Sequence, residues 1–208
     1  MKKWLLVSLG AIVLTPLQAQ ESNRLIVDFG GGFTTPVGST GRALDDGWNI
    51  RGGVGFNFTS VVGAMVQLDY NSLGINSTTL SNLGFPGGDV HVFSATLDPI
   101  VHLTPHHHVD LYLIGGGGMY RRTEQFTQSG VATGVGYSPF FGFYQFGIPT
   151  TEILGSYSVV KPGVNGGAGL AFGSKWGGKF YAEARYNRIY MNNNLHTDYV
   201  PVTFGFRW

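Results

Sequence analysis

Charged residues make up only 12% of this 208-residue chain, against roughly 25% in an ordinary globular domain. There is no cysteine and the net charge is +1, which excludes disulfide and thiolate chemistry and the basic face that a nucleic-acid partner requires. The chain also holds 33 glycines and 14% aromatics.

The chain begins with a basic head, Met1-Lys2-Lys3, followed by an apolar stretch over residues 4–17 and a small residue, Ala19. This is the pattern of a secretory signal peptide over residues 1–19, although Leu17 departs from a small-x-small cleavage site. The stretch is shorter than the ~20 residues a spanning helix needs. The mature domain is expected to be residues 20–208. It holds no further apolar run of helical length, so a membrane location would have to be reached with strands.

Period-two alternation then recurs along the chain. Residues 25–34 set Leu25, Val27, Phe29 and Phe33 against Ile26, Asp28 and Thr34. Residues 48–58 put Trp48, Ile50, Val54 and Phe56 on one face and Asn49, Arg51 and Asn57 on the other. Residues 62–70 oppose Val62, Val66 and Leu68 to Met65, Gln67 and Asp69. A less regular stretch, 90–103, opposes Phe93, Ala95 and Leu97 to Ser94, Thr96 and Asp98, and Pro99 predicts broken or bulged pairing there. Residues 109–120 set Val109, Leu111 and Leu113 against Asp110 and Tyr112; residues 160–172 set Val164 and Leu170 against Lys161 and Asn165. Residues 180–187 set Phe180, Ala182, Ala184 and Tyr186 against Tyr181, Glu183, Arg185 and Asn187. Residues 197–208 close the chain with Val200, Val202, Phe204, Phe206 and Trp208 opposite Thr203 and Arg207.

These eight stretches read as strands with one apolar and one mixed face. The connections between them alternate between long (36–47, 71–89, 123–157, 188–196) and short (59–60, 104–108, 173–178). The expected fold is all-β: an eight-stranded antiparallel up-and-down transmembrane β-barrel, with short periplasmic turns, long external loops and both termini periplasmic. Glycine within strands relieves crowding in so narrow a ring.

The terminal Val200-Pro-Val-Thr-Phe-Gly-Phe-Arg-Trp208, the strand Phe180-Tyr-Ala-Glu-Ala-Arg-Tyr186 and the glycine-rich Leu113-Ile-Gly-Gly-Gly-Gly-Met-Tyr120 resemble the small OmpA/OmpX-type outer-membrane beta-barrel domains. The resemblance covers the mature chain. It implies an outer-membrane location among lipid and lipopolysaccharide, and a barrel without the peptidoglycan-binding domain of full-length OmpA proteins. It also implies that Trp208, with Phe204 and Phe206 on its face, belongs to a signal read by the barrel-assembly machinery.

The inward set carries Asp28, Arg51, Asp69, Asp98, Asp110, Lys161, Glu183, Arg185 and Arg207. An eight-strand barrel is filled by its own side chains, and buried charges must pair. These nine are expected to form a network that plugs the lumen; the alternative is a narrow ion path along them. Phe140, Phe141, Phe143, Tyr144 and Phe146 crowd the longest connection. They could form an external contact surface, or the connection could be a hairpin that prolongs the barrel, with the rings packed in it or in the interfacial girdle.

Two further sets are weaker. His106-His107-His108 could hold a metal, but consecutive side chains on an extended segment diverge, so a plain polar turn is the simpler reading. His91, His196 and Asp198, with Ser77, Ser81 and Ser94, supply the residue types of a lipid-modifying Ser/His/acid enzyme without any motif of one. No catalytic, cofactor or metal set is assigned. The reading is a non-enzymatic small barrel with an envelope-structural role or a surface-interaction role through its external loops. The alternatives are a lipid-modifying membrane enzyme and a narrow pore or conduit for small molecules.

Overall fold

A computed structural model describes residues 25–105, 107–173, 178–193 and 195–208; the expected signal peptide and His106 lie outside them. Eight antiparallel strands follow one another around a closed ring: β1 (Leu25–Pro36), β2 (Leu44–Asn57), β3 (Val62–Ile75), β4 (Gly87–His102), β5 (Val109–Ser138), β6 (Gly142–Gly173), β7 (Lys179–Tyr190) and β8 (His196–Arg207). β1 and β8 close the ring, with Asp28 opposite Arg207 and Phe33 opposite Val202. Trp208 adds the last rung, exchanging backbone hydrogen bonds with Val27 at 2.9 and 3.2 Å.

The alternation of side chains decides what faces in and what faces out. Buried and exposed residues alternate strictly along β4 from Val92 to His102 and along β7 from Glu183 to Asn187. The outward apolar band is bounded by aromatic rings. At the end carrying the chain termini, Phe180 stacks edge-on against Phe206 at 5.0 Å, and Phe206 against Trp208 at 4.6 Å. At the opposite end Trp48 packs on Tyr70 at 5.4 Å. Two aromatic girdles around an apolar belt are what a bilayer imposes on a barrel.

Two expectations about the connections need correction. The stretch 123–157 is not a loop. β5 and β6 stay paired in register up to Ser138 opposite Gly142, forming a two-stranded ribbon that leaves the ring. Pairing of β4 with β5 ends at Thr127, and pairing of β7 with β6 ends at Gly163. A register shift at Phe126/Thr127 marks the departure. The alternation of Thr, Val and aromatics there suits a ladder, and Gly142, at φ 73°, makes the tight reversal. The rings are therefore in a hairpin: Phe143 packs on Tyr137 at 5.2 Å and Tyr144 on Phe146 at 5.8 Å, whereas Phe140 and Phe141 are almost fully exposed. Residues 71–89 contain the end of β3, the start of β4 and a one-helix cap, α1 (Ser77–Leu83). Asn76 caps its first turn by accepting from the Thr78 amide at 2.8 Å, and Gly84, at φ 75°, ends it.

The pairing expected to break at Pro99 is broken on one side only, and β4 continues through it. Its pairing with β3 runs unbroken through Ala64–Pro99. Only on the β5 side are pairs missing, between Leu97–Gly117 and Ile100–Ile114, and the register on either side is the same. The proline lacks a donor on that side alone, and two glycines, Gly115 and Gly116, face the gap.

Candidate functional site

The lumen is layered. At the ribbon end lies an apolar cluster of Leu44, Leu73, Ile75, Val90, Val92, Tyr120, Ile189 and Tyr199. At the end bearing the termini lies a second, with Ile26, Met65, Ile100, Tyr112, Ile114 and Tyr181. Between them sits a buried ionic layer whose centre is Glu183. Arg51 bridges Asp69 and Glu183, and Arg185 bridges Glu183 and Asp98, the last contact at 2.9 Å. The Tyr112 hydroxyl donates to Glu183 at 2.9 Å. Arg207 donates to Asp28 at 3.0 Å and lies 3.8 Å from Glu183. Thr96 and Asn165 complete the ring of donors around Asp98, at 2.7 and 2.8 Å.

Seven of the nine expected lumen charges meet in this layer. Two do not. Lys161 sits at the ribbon-end rim, where its ammonium donates to Asn192 at 2.7 Å rather than to a carboxylate; the inward parity is right, but β6 there has left the filled part of the ring. Asp110 sits at the opposite mouth, paired with His102 at 2.7 Å and Lys179 at 3.3 Å. Sequence reasoning missed Lys179 because it lies at a strand end, and missed His102 although its inward parity with Ser94, Thr96 and Asp98 could have flagged it. It also gave no partner roles to the inward tyrosines. Arg207 stacks over the rings of Tyr112 and Tyr181 at 4.7 and 5.0 Å, a contact that inward parity could have flagged.

Of the Ser/His/acid reading only His196 and Asp198 are brought together, and none of the three serines pairs with them among the described contacts. His91 pairs with the Tyr70 hydroxyl at 3.0 Å. Asp198 is held by Arg188 through two bonds of 2.9 Å and by His196 at 3.2 Å, and its amide donates to Thr40 at 2.9 Å. Ser94 is buried, and Ser81 donates to the Ser77 carbonyl within α1. Among the described residues no group of three His, Cys, Asp or Glu is placed to hold a metal ion.

Above the rim, the ribbon exposes its aromatics. Phe140, Phe141 and Phe143 are 89%, 86% and 79% exposed, and Tyr144 and Phe146 are also exposed. Residues 125–151 contain no Asp, Glu, Lys or Arg.

A closed ring of eight strands, a lipid-ready belt between two girdles and a polar, filled interior define a transmembrane β-barrel. The chain belongs to the outer membrane protein beta-barrel domain family, whose family model matches residues 5–207, and it is accordingly an outer-membrane protein in a lipid setting. Among solved structures it is similar to neisserial surface protein A, with a TM-score of 0.59 at 15% identity, over 90% of this chain and 98% of that one. Ail, the attachment invasion locus protein of Yersinia pestis, in complex with the heparin analogue sucrose octasulfate, matches with a TM-score of 0.47 at 20% identity, over 88% and 97%. The N-terminal barrel domain of Pseudomonas aeruginosa OprF matches with 0.43 at 14%, over 89% and 98%. At these identities the likeness concerns the fold alone. No curated protein matches the sequence.

The layering has a direct electrical consequence. An ion crossing the lumen would have to displace two apolar clusters and break paired charges, with no water to replace its hydration shell. The wild-type protein in a planar bilayer is expected to show no steady conductance; a stable open channel would overturn the plug.

Proposed function

We propose that this chain is a non-enzymatic outer-membrane barrel that makes surface contacts through the β5–β6 ribbon, with the barrel as its anchor. The observation that carries this reading is the ribbon tip, where Phe140, Phe141 and Phe143 stand in solvent on an uncharged segment. A two-stranded ribbon is marginal in water by itself, and exposed aromatic patches favour association. The partner is a surface with apolar relief. In this reading residues 1–19 are removed on export, residues 20–208 form the barrel, and both termini and the short turns face the periplasm. The ribbon, α1 and the β7–β8 connection then face outward, towards lipopolysaccharide and the medium.

The test is a ribbon deletion. Replacing residues 130–150 by a tight Asn-Gly turn should leave a folded, heat-modifiable barrel in the outer membrane. Adhesion of cells displaying it, to other cells or to host-cell monolayers, should fall to the level of cells lacking the protein. Undiminished adhesion, or none by the wild type, would sink the reading.

The assembly role of Trp208 belongs to the same proposal. Deleting Trp208 removes the final β1–β8 rung and its edge-on contact with Phe206. Outer-membrane levels should drop well below those of a variant lacking Gly130 in the ribbon. Equal levels of the two would count against an assembly signal at this position.

A further inference from the structure

The mouth of the barrel at the end carrying the termini holds a cavity of about 270 Å³. Its wall includes His102, Asp110, Asn57, Arg207, Lys179 and Trp208. Among the described residues, four of these carry buried polar atoms with no partner: His102 Nε2, Asp110 Oδ1, Asn57 Oδ1, and both Nε and Nη1 of Arg207. His102, Asp110 and Arg207 are themselves at least nine-tenths buried. Polar atoms removed from bulk water and left unmatched are costly to a fold, and such groups in a native protein call for a ligand or ordered water.

The chemistry of these atoms is selective. His102 Nδ1 already engages Asp110 Oδ2 at 2.7 Å; with the proton on Nδ1, Nε2 is an acceptor. His102 Nε2, Asp110 Oδ1 and Asn57 Oδ1 thus offer three acceptors, the number of protons on a primary ammonium group. Arg207 offers donors, and the Lys179 ammonium, bonded to Asp110 at 3.3 Å, has protons to spare at the rim. Donors of this kind suit a carboxylate.

We propose that this cavity is a binding site for a small zwitterion, an amino acid or dipeptide, with its ammonium on the acceptor set and its carboxylate towards Arg207 and Lys179. The site is independent of the ribbon and does not rest on the surface-contact reading. Nor does it conflict with a closed lumen: Arg207, part of the cavity wall, is tied to Asp28 in the ionic layer, and Ile26 and Ala171 of the second apolar cluster line the same cavity.

The test is an NMR titration of the folded, isotope-labelled barrel in lipid nanodiscs with L-alanyl-L-alanine. The His102 ring and the Asn57 side-chain amide should shift saturably, with half-saturation at about 1 mM or below. N-acetylation or C-amidation of the dipeptide should each weaken binding by about tenfold or more. Lys179→Gln should weaken it several-fold, whereas Lys161→Gln at the opposite rim should not. The side chain of Lys179 is 42% exposed, so its replacement leaves the fold intact even where variants of Asp110 do not assemble. Shifts that fail to saturate, equal binding of the doubly capped dipeptide, or an unaltered titration in Lys179→Gln would each overturn the proposal and leave the cavity to water.

Discussion

Arg185→Met is expected to destabilise the folded barrel by about 3–5 kcal/mol, the cost of stranding buried charge. Glu183→Gln should cost clearly less, about 1–3 kcal/mol for weakened charge-assisted hydrogen bonds. The asymmetry comes from the composition of the ionic layer. Asp28, Asp69, Asp98 and Glu183 supply four carboxylates, whereas Arg51, Arg185 and Arg207 supply three guanidiniums, all buried. Removing Arg185 leaves Asp98 without its cation and raises the excess of negative charge in a layer sealed by apolar clusters on both sides. Neutralising Glu183 removes that excess. Each arginine then keeps another carboxylate: Asp69 for Arg51, Asp98 for Arg185 and Asp28 for Arg207. Ala184 lies between these two residues but faces outward, so Ala184→Leu should be nearly neutral. Urea unfolding in lipid vesicles, followed by tryptophan fluorescence, measures all three. A midpoint for Glu183→Gln at or below that of Arg185→Met would show that charge balance does not govern this layer.

Gly118→Val should prevent the barrel from closing properly. A Cβ at Gly118 would run into the backbone of β4, at the Ala95 carbonyl and 2.7 Å from the Thr96 Cα. The obstacle is main chain in a hydrogen-bonded ladder, so it cannot turn aside as a side chain does. The expected loss is about 3 kcal/mol or more, at the upper end of overpacking costs because two strands must separate. Gly166 is a suitable control: a Cβ there meets nothing within 4 Å, so Gly166→Ala should fold normally. The two variants separate on a heat-modifiability gel after refolding into detergent. Folded yields of Gly118→Val equal to those of Gly166→Ala would refute the close approach.

Much of the fold was legible in the sequence because side-chain direction in a strand is a local property. Val27 and Phe29 face out and Ile26 and Asp28 face in for the same reason, the pleat, wherever the strand finally lies. That alternation, repeated eight times, was enough to predict an eight-stranded ring, its lipid belt and most of the residues that share the interior, while the stretch 123–157 left a further hairpin open. It could not determine which of those residues meet. The bond from Arg51 to Glu183 joins β2 to β7, and that from Arg185 to Asp98 joins β7 to β4. Such pairs depend on the stagger between strands and on the curvature of the ring, which no single stretch encodes. The ribbon was open for a related reason: glycine-rich residues 123–157, almost without charge, look like a loop until β5 and β6 pair, because the ladder that orders them lies in the partner strand. Only the closed ring decided that Lys161 stays at the rim, that Pro99 keeps its strand, and that two apolar clusters seal the charges between them.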